Sequence, residues 1–194
     1  MEDRNDAQLQ IEKKRLRREM LKLRDALSPR ERERAAVLLT ERILGHQWFY
    51  RSEILLGFVS YGSEIDTRMI LEEAFRKQKR VYLPRVEGEK LVFYRTGSLE
   101  ELREGYKGIL EPDGCTEVFD IERALPDKTL MLMPGVAFDL RRNRMGYGKG
   151  FYDRYLRDKP DLQLRTIALG YACQLIGEVP CTREDIRPYQ VICV

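Results

Sequence analysis

The chain has 194 residues, 43% of them apolar and 35% charged, the latter well above the usual quarter or so. Lys and Arg number 35 against 32 Asp and Glu, and the resulting formal charge of +3 is too small for a general polyanion binder. No apolar run approaches the roughly 20 residues needed to cross a bilayer, so a membrane span is excluded and one soluble domain, 1–194, is expected.

The N-terminus is polar and acidic, without a signal-peptide core. The four cysteines (Cys115, Cys173, Cys181, Cys193) form no CxxC pair, so a reducing cytoplasm is expected. Leu9, Leu16, Met20, Leu23 and Leu27 recur on one face and predict a helix over about 7–27. That helix also carries Lys13, Lys14, Arg15, Arg17 and Arg18. Such a cluster is ordinarily a solvated face, but positions 13 and 17 lie one turn apart and can reach one polyphosphate together.

Ser28, Pro29 and Glu31 form a capping box with proline at the first helical position. They start a second helix that runs through Leu39 and Ile43 to Gly45, with His46 assigned to its termination. Residues 53–59 have the length and apolarity of a strand, and 67–79 the pattern of a helix with Met69, Ile70, Ala74 and Phe75 inward. In the loop between them Asp66 or Thr67 caps the helix, which leaves Glu64 free for a ligand at a strand end. Further strands are predicted at 80–84, 90–95, 130–133, 166–169 and 191–193. Residues 97–127 read as a long loop with short local structure, a feature that is often functional. The fold class is therefore α/β: a mainly parallel central sheet with helices on both faces and a helical N-terminal segment.

With His46 as the lone histidine and no G-x-S-x-G motif, a serine or cysteine nucleophile mechanism and a His/Cys zinc cluster are both disfavoured. Chemistry must rest on carboxylates, lysines, arginines, tyrosines and bound ligands. After the apolar run 129–133 and a basic turn, Gly146, Gly148 and Gly150 alternate around Tyr147 and Lys149, and a helix starts at Phe151. This is not a Walker A sequence: Asn143 stands where its first glycine belongs, and Gly150 where its Ser/Thr belongs. Nor does GxGxG match the dinucleotide spacing. Three glycines, Lys149 and the flanking Arg144 exceed what a turn needs, and backbone amides turned inward favour an anion. Asp153 can hold Mg²⁺ beside that anion, or simply complement the helix dipole.

Taken in order, several motifs resemble the 5-formyltetrahydrofolate cyclo-ligase (methenyltetrahydrofolate synthetase) family. They are Lys-x-x-Leu-Arg at 13–17, Ser-Pro-x-Glu at 28–31, Glu-Ile-Asp-Thr at 64–67, Tyr-Leu-Pro-Arg at 82–85, Gly-Ile-Leu-Glu-Pro at 108–112 and the long segment 133–156. The resemblance implies an ATP- and Mg²⁺-dependent ligase that phosphorylates the formyl oxygen and yields 5,10-methenyltetrahydrofolate, ADP and phosphate. It implies ATP contacts from Lys13, Arg17, Arg144, Met145, Gly146, Tyr147, Gly148, Lys149, Gly150, Phe151 and Tyr152. Folate contacts would come from Val59, Glu64 and the 147–151 part of the loop, Mg²⁺ ligands from Asp153 and Asp185, and catalysis from Lys149 and Arg144. Two positions depart from the pattern. Tyr147 replaces a common second arginine, and 182–189 lacks the usual histidine and second aspartate. Small-molecule partners, no nucleic acid, no membrane and a monomer are expected. The rival readings are a nucleic-acid module using the basic first helix, which the balanced charge opposes, and a ligand-binding relative without catalysis.

Overall fold

In a computed structural model the described backbone spans residues 2–194, with side chains from residue 7 onward. The helices are α1 (Glu2–Asp25), α2 (Pro29–Leu44), α3 (Gln47–Arg51), α4 (Arg68–Arg76), α5 (Phe151–Leu156) and α6 (Pro160–Gln163). The strands are β1 (Ile54–Leu56), β2 (Arg80–Glu87), β3 (Lys90–Thr96), β4 (Arg103–Glu104), β5 (Leu110–Glu111), β6 (Thr129–Met133), β7 (Ala137–Asp139), β8 (Arg144–Met145), β9 (Thr166–Gly170), β10 (Leu175–Ile176) and β11 (Gln190–Cys193).

Six strands form the main sheet in the order β11-β9-β6-β1-β2-β3, parallel throughout except for the final β2–β3 hairpin. The period-2 geometry divides its side chains cleanly between two cores. Leu55, Leu130 and Leu132 join Leu39, Ile43 and Ile70 from α2 and α4 on one face. Ile54, Leu56, Met131 and Met133 join Leu156 and Leu162 from α5 and α6 on the other. The expected α/β class, with both sheet faces covered, is what the chain adopts.

Several elements differ in detail. The strand expected over 53–59 ends at Leu56, although 57–59 stays buried. β2 continues to Glu87 through Pro84 because β1 pairs only with Arg80 to Tyr82, so the missing proline N–H leaves no ladder bond unmade on that side. The Ser28 capping box forms as expected, with Glu31 Oε2 accepting from Ser28 N at 2.8 Å. His46 does not belong to α2 alone. Its Nδ1 accepts from Trp48 N at 3.1 Å and caps α3. Asp66 rather than Thr67 caps α4: Asp66 Oδ1 accepts from Arg68 N at 2.9 Å, while the Thr67 hydroxyl bonds to Phe58 O.

The largest correction concerns α1. Within the predicted stripe Met20 is buried and Leu9, Leu16 and Leu27 are half-buried, but Leu23 is 53% exposed, while Lys13 and Arg24 are 8% and 4% exposed. Met20, with Leu16 and Leu21, packs on Val136, Ala137, Met145 and Val179. The face that docks is therefore 13-16-17-20-24, which mixes cations with apolar residues.

β7, β8 and β10 form a small separate sheet. Phe138 in β7 is fully buried, and its ring fills the space that a Cβ at Gly135 or Gly170 would need. Truncating it leaves a void beneath the strand that feeds the glycine loop. Phe138→Ala should lower stability by about 3–5 kcal/mol and Ser28→Ala by only about 1 kcal/mol, both read from denaturant unfolding.

Candidate active site

The glycine loop starts from a well-fixed base. Asp139, 1% exposed, accepts from Asn143 N and Nδ2 at 2.9 and 2.8 Å and from Val179 N at 3.0 Å. Burial alone would raise its pKa, but these bonds together hold it below the ordinary value. The β7–β8 turn so closed delivers Arg144, and the loop then runs over 146–150. Gly148 has φ +94°, and a Cβ there would come within 3.2 Å of the Arg17 guanidinium carbon. Arg17 Nε donates to Gly146 O at 2.8 Å. Further along the loop Arg154 donates to Lys149 O and Glu89 O, each at 2.7 Å. Two arginines thus clamp the loop backbone. The following helix, α5, has only six residues, so side-chain cations and loop amides set the local potential more than a long helix dipole does.

On one side of the loop lies a polar cleft of about 640 Å³. Lys13, Arg17, Lys149, Arg154, Arg157 and Arg183 line it, opposed by Asp153, Glu184 and Asp185. Lys13 Nζ donates to Asp185 Oδ2 at 2.5 Å, and Thr182 N donates to the same oxygen at 2.6 Å. Burial works to raise Asp185, but the Lys13 and Thr182 bonds outweigh it and its pKa lies below the usual value. Burial likewise lowers Arg17, with Asp185 partly offsetting it. Lys14, Arg15 and Arg18 stay exposed. Lys149 is also exposed, and its ammonium has no protein hydrogen-bond partner among the described residues.

On the other side lies a cavity of about 330 Å³, lined largely by apolar groups that include Phe58, Val59, Pro84, Leu91, Phe151 and Tyr152. Glu64 also lines it, but it is not free as the sequence suggested. Its Oε1 accepts from Tyr147 Oη at 2.6 Å and its Oε2 from Tyr61 N at 2.9 Å. Burial raises the Glu64 pKa, and the bonds from Tyr147 and Tyr61 and the charge of Arg24 act against that rise. Burial also lifts the Tyr147 and Tyr152 phenols well above their ordinary values, so both keep their protons.

The predicted residues divide between these spaces. Lys13, Arg17, Met145, Gly148 and Asp185 line the cleft, whereas Val59, Glu64, Arg144, Tyr147, Phe151 and Tyr152 line the cavity. Gly146, Lys149, Gly150 and Asp153 line both. Arg144, 5% exposed, donates Nη2 to Asp153 Oδ1 at 2.9 Å and leaves its buried Nε unpartnered. The glycine loop, with Lys149 lining both spaces, thus lies between an apolar cavity and a cationic cleft.

The model of the 5-formyltetrahydrofolate cyclo-ligase family matches residues 10–194. The chain belongs to the 5-formyltetrahydrofolate cyclo-ligase family. A mouse 5-formyltetrahydrofolate cyclo-ligase is 29% identical over 188 residues, covering 93% of this chain and 92% of its own. The Haemophilus influenzae protein of that name is 26% identical over 182 residues, covering 91% and 95%. The NMR structure of Aquifex aeolicus 5,10-methenyltetrahydrofolate synthetase superposes with a TM-score of 0.75 at 31% identity, covering 91% of this chain and 86% of that one.

Around the cavity of this cyclo-ligase family member stand residues that no sequence motif singled out. Arg24 and Ser63 back the cavity through Tyr147, and Tyr106 to Glu111 supply part of its wall. The long 97–127 loop was flagged as functional, but no motif singled out Arg24 within a generally basic helix.

Because the folded-state pKa of Asp185 is depressed, its pairing stabilises the fold above the unfolded carboxylate value of about 3.9 and is lost as pH falls through the lower folded value. Asp185→Asn should therefore cost about 1–3 kcal/mol at pH 7, and the gap to wild type should close below about pH 4 in denaturant titrations.

Proposed function

We propose that this chain converts 5-formyltetrahydrofolate to 5,10-methenyltetrahydrofolate, with ATP cleaved to ADP and phosphate. One observation carries the reading: the cavity with the half-buried Glu64 carboxylate and the cation-lined cleft share Gly146, Lys149, Gly150 and Asp153. A bulky, mostly flat ring system fits the first space, and a polyphosphate fits the second.

The reaction asks for little proton chemistry, which suits a site without histidine. The formyl oxygen of the folate attacks the γ-phosphorus, the new O–P bond forms, and the bond to ADP breaks. N10 then attacks the activated formyl carbon, the C–O bond breaks, phosphate departs, and N10 loses its proton as the ring closes. Both steps depend on holding reactants in line and on matching charge, as phosphoryl transfer generally does. Lys149 stands where the phosphoryl group must pass between the two spaces, and its unpaired ammonium neutralises the charge that moves. Lys13 and Arg17 hold the polyphosphate. Arg144 orients Asp153, while its unpartnered Nε offers one more donor at the boundary. Glu64, an acceptor at both oxygens, binds the N–H edge of the pterin.

Mg²⁺ suits this donor set. Oδ1 of Asp153 accepts from Arg144 and Ile186 N, and Oδ2 of Asp185 accepts from Lys13 and Thr182, so the other oxygen of each carboxylate has no donor among the described residues. Among the described residues no three acidic, histidine or cysteine side chains cluster as a metal cage. An ion held by one or two carboxylates, waters and phosphate oxygens needs no such cage, and it would add charge neutralisation at the phosphates.

In this reading the partners are small molecules, because Lys13 and Arg17, half or more buried, turn into the cleft and leave only part of the helix's basic cluster on the surface. No helix among the described residues is long and apolar enough to cross a membrane. The four cysteines are free thiols, consistent with a monomer working in a reducing cytoplasm.

Incubating the protein with 5-formyltetrahydrofolate, ATP and Mg²⁺ should produce the near-ultraviolet absorbance of methenyltetrahydrofolate; folded protein that gives none refutes the reading. Lys149→Ala should lower turnover by about 10²–10³-fold. Its thermal unfolding should stay within about 0.5 kcal/mol of wild type, since the residue is exposed.

A further inference from the structure

Arg24 sits in the last turn of α1 and is 4% exposed, a costly place for a guanidinium unless its contacts are matched. Nε donates to Ser63 Oγ at 2.9 Å, and Nη1 donates to Tyr147 Oη at 2.8 Å. The guanidinium carbon also lies 5.6 Å from the centre of the Tyr147 ring. Arginine has five donors and no acceptor, so both hydroxyls must accept from it and turn their own protons elsewhere. Ser63 Oγ donates on to Asp25 Oδ1, and Tyr147 Oη donates on to Glu64 Oε1. One buried cation therefore stands between two carboxylates and is joined to each through a single hydroxyl whose direction it sets.

We propose that Arg24 is a positioning residue that locks the Tyr147 hydroxyl as a donor toward Glu64, and so holds Glu64 as an anion that accepts a two-donor N–H edge of the substrate. The inference rests on the cavity being the folate site. Each Glu64 oxygen already takes one hydrogen bond, from Tyr147 Oη and Tyr61 N, and keeps one lone pair for the ligand. A protonated Glu64 would present a donor and meet that edge with like groups.

The ionisable groups around Glu64 come from several elements. Arg24 and Asp25 lie on α1, Asp66 in the same loop, Tyr147 in the glycine loop and Tyr152 on α5. Tyr171 follows β9, and its hydroxyl donates to the Glu64 main-chain oxygen at 3.2 Å. Arg144 and Arg32 act on Tyr152 and Tyr171 respectively, whereas Arg24 acts on Glu64 itself. Without Arg24 the phenol can rotate, and burial then favours the neutral acid.

The decisive measurement is the ¹³C carboxyl titration of Glu64 in ligand-free protein, assigned with Glu64→Gln. In Arg24→Met and in Tyr147→Phe the Glu64 midpoint should move up by about one unit or more, and the double variant should add little, because both substitutions break one relay. The KM for 5-formyltetrahydrofolate should rise by up to about tenfold per unit of that shift as the pH falls through the Glu64 midpoint and recover at higher pH, with the KM for ATP within about twofold of wild type. Arg24→Lys, which restores charge without the fork, should recover part of the loss. An unmoved Glu64 midpoint in folded Arg24→Met overturns the proposal, and Tyr147→Phe decides alone where Arg24→Met does not fold. Absence of wild-type turnover would instead refute the folate reading, and the Glu64 titrations would still decide the role of Arg24.

Discussion

Everything at the site depends on the contact of Arg17 with the glycine loop. The guanidinium donates to Gly146 O and lies against Gly148, where a side chain would both collide with it and strain a backbone at φ +94°. A thin backbone at this place lets the apolar cavity and the cationic cleft approach each other with only the loop between them. Arg154 clamps the same loop further along, through Lys149 O. The lysine is thereby aimed by its own main chain while its ammonium stays uncommitted. Pinning the backbone and freeing the side chain is what a charge-neutralising group at a transfer point requires.

The first helix supplies most of this control. Lys13, Arg17 and Arg24 share the face that docks, with Met20 among them fixing the helix on Val136 and Met145. At 1.5 Å per residue, Lys13 and Arg24 stand about 16 Å apart along one rigid rod, with Arg17 between them. The rod therefore presents one cation to Asp185 at the cleft, a second to the loop, and a third to the Tyr147–Glu64 pair at the cavity. Three loops that share no strand ladder, at 61–64, 146–150 and 182–185, take their relative positions from this helix.

That arrangement explains which parts were readable in advance. The sheet was legible because continuous apolar strands can be buried only between two helical layers, and the two cores sort its residues as the period requires. The two halves of the β7–β8 hairpin and β10 run only two or three residues, too short for any periodicity to register. The glycine loop was legible through composition. The face of α1 was legible only in part: Leu16, Met20 and Leu27 pack inward as their spacing requires, but hydrophobicity ranks Leu23 inward and Arg24 outward, and the reverse holds. A buried cation is invisible to a pattern built on apolar residues when its partners, Ser63 and Tyr147, lie 39 and 123 residues away. Glu64 lines the cavity but is not free, for the same reason: its engagement depends on Tyr147, which only the fold brings close.

Tyr147 follows from this logic more directly than from its place in the motif. It lines the cavity and not the cleft, so it is poorly placed to replace an arginine on a phosphate. Its hydroxyl instead carries the influence of a cation located elsewhere in the chain. Arg24 polarises the phenol, and the phenol passes a directed donor to Glu64. The positive charge acts on the carboxylate while the cavity wall that touches a ligand remains an aromatic ring. A guanidinium at position 147 would put both charge and donors into the apolar space itself. With tyrosine there and arginine one layer behind, the cavity keeps its apolar lining and Glu64 still has an electrostatic reason to stay ionised.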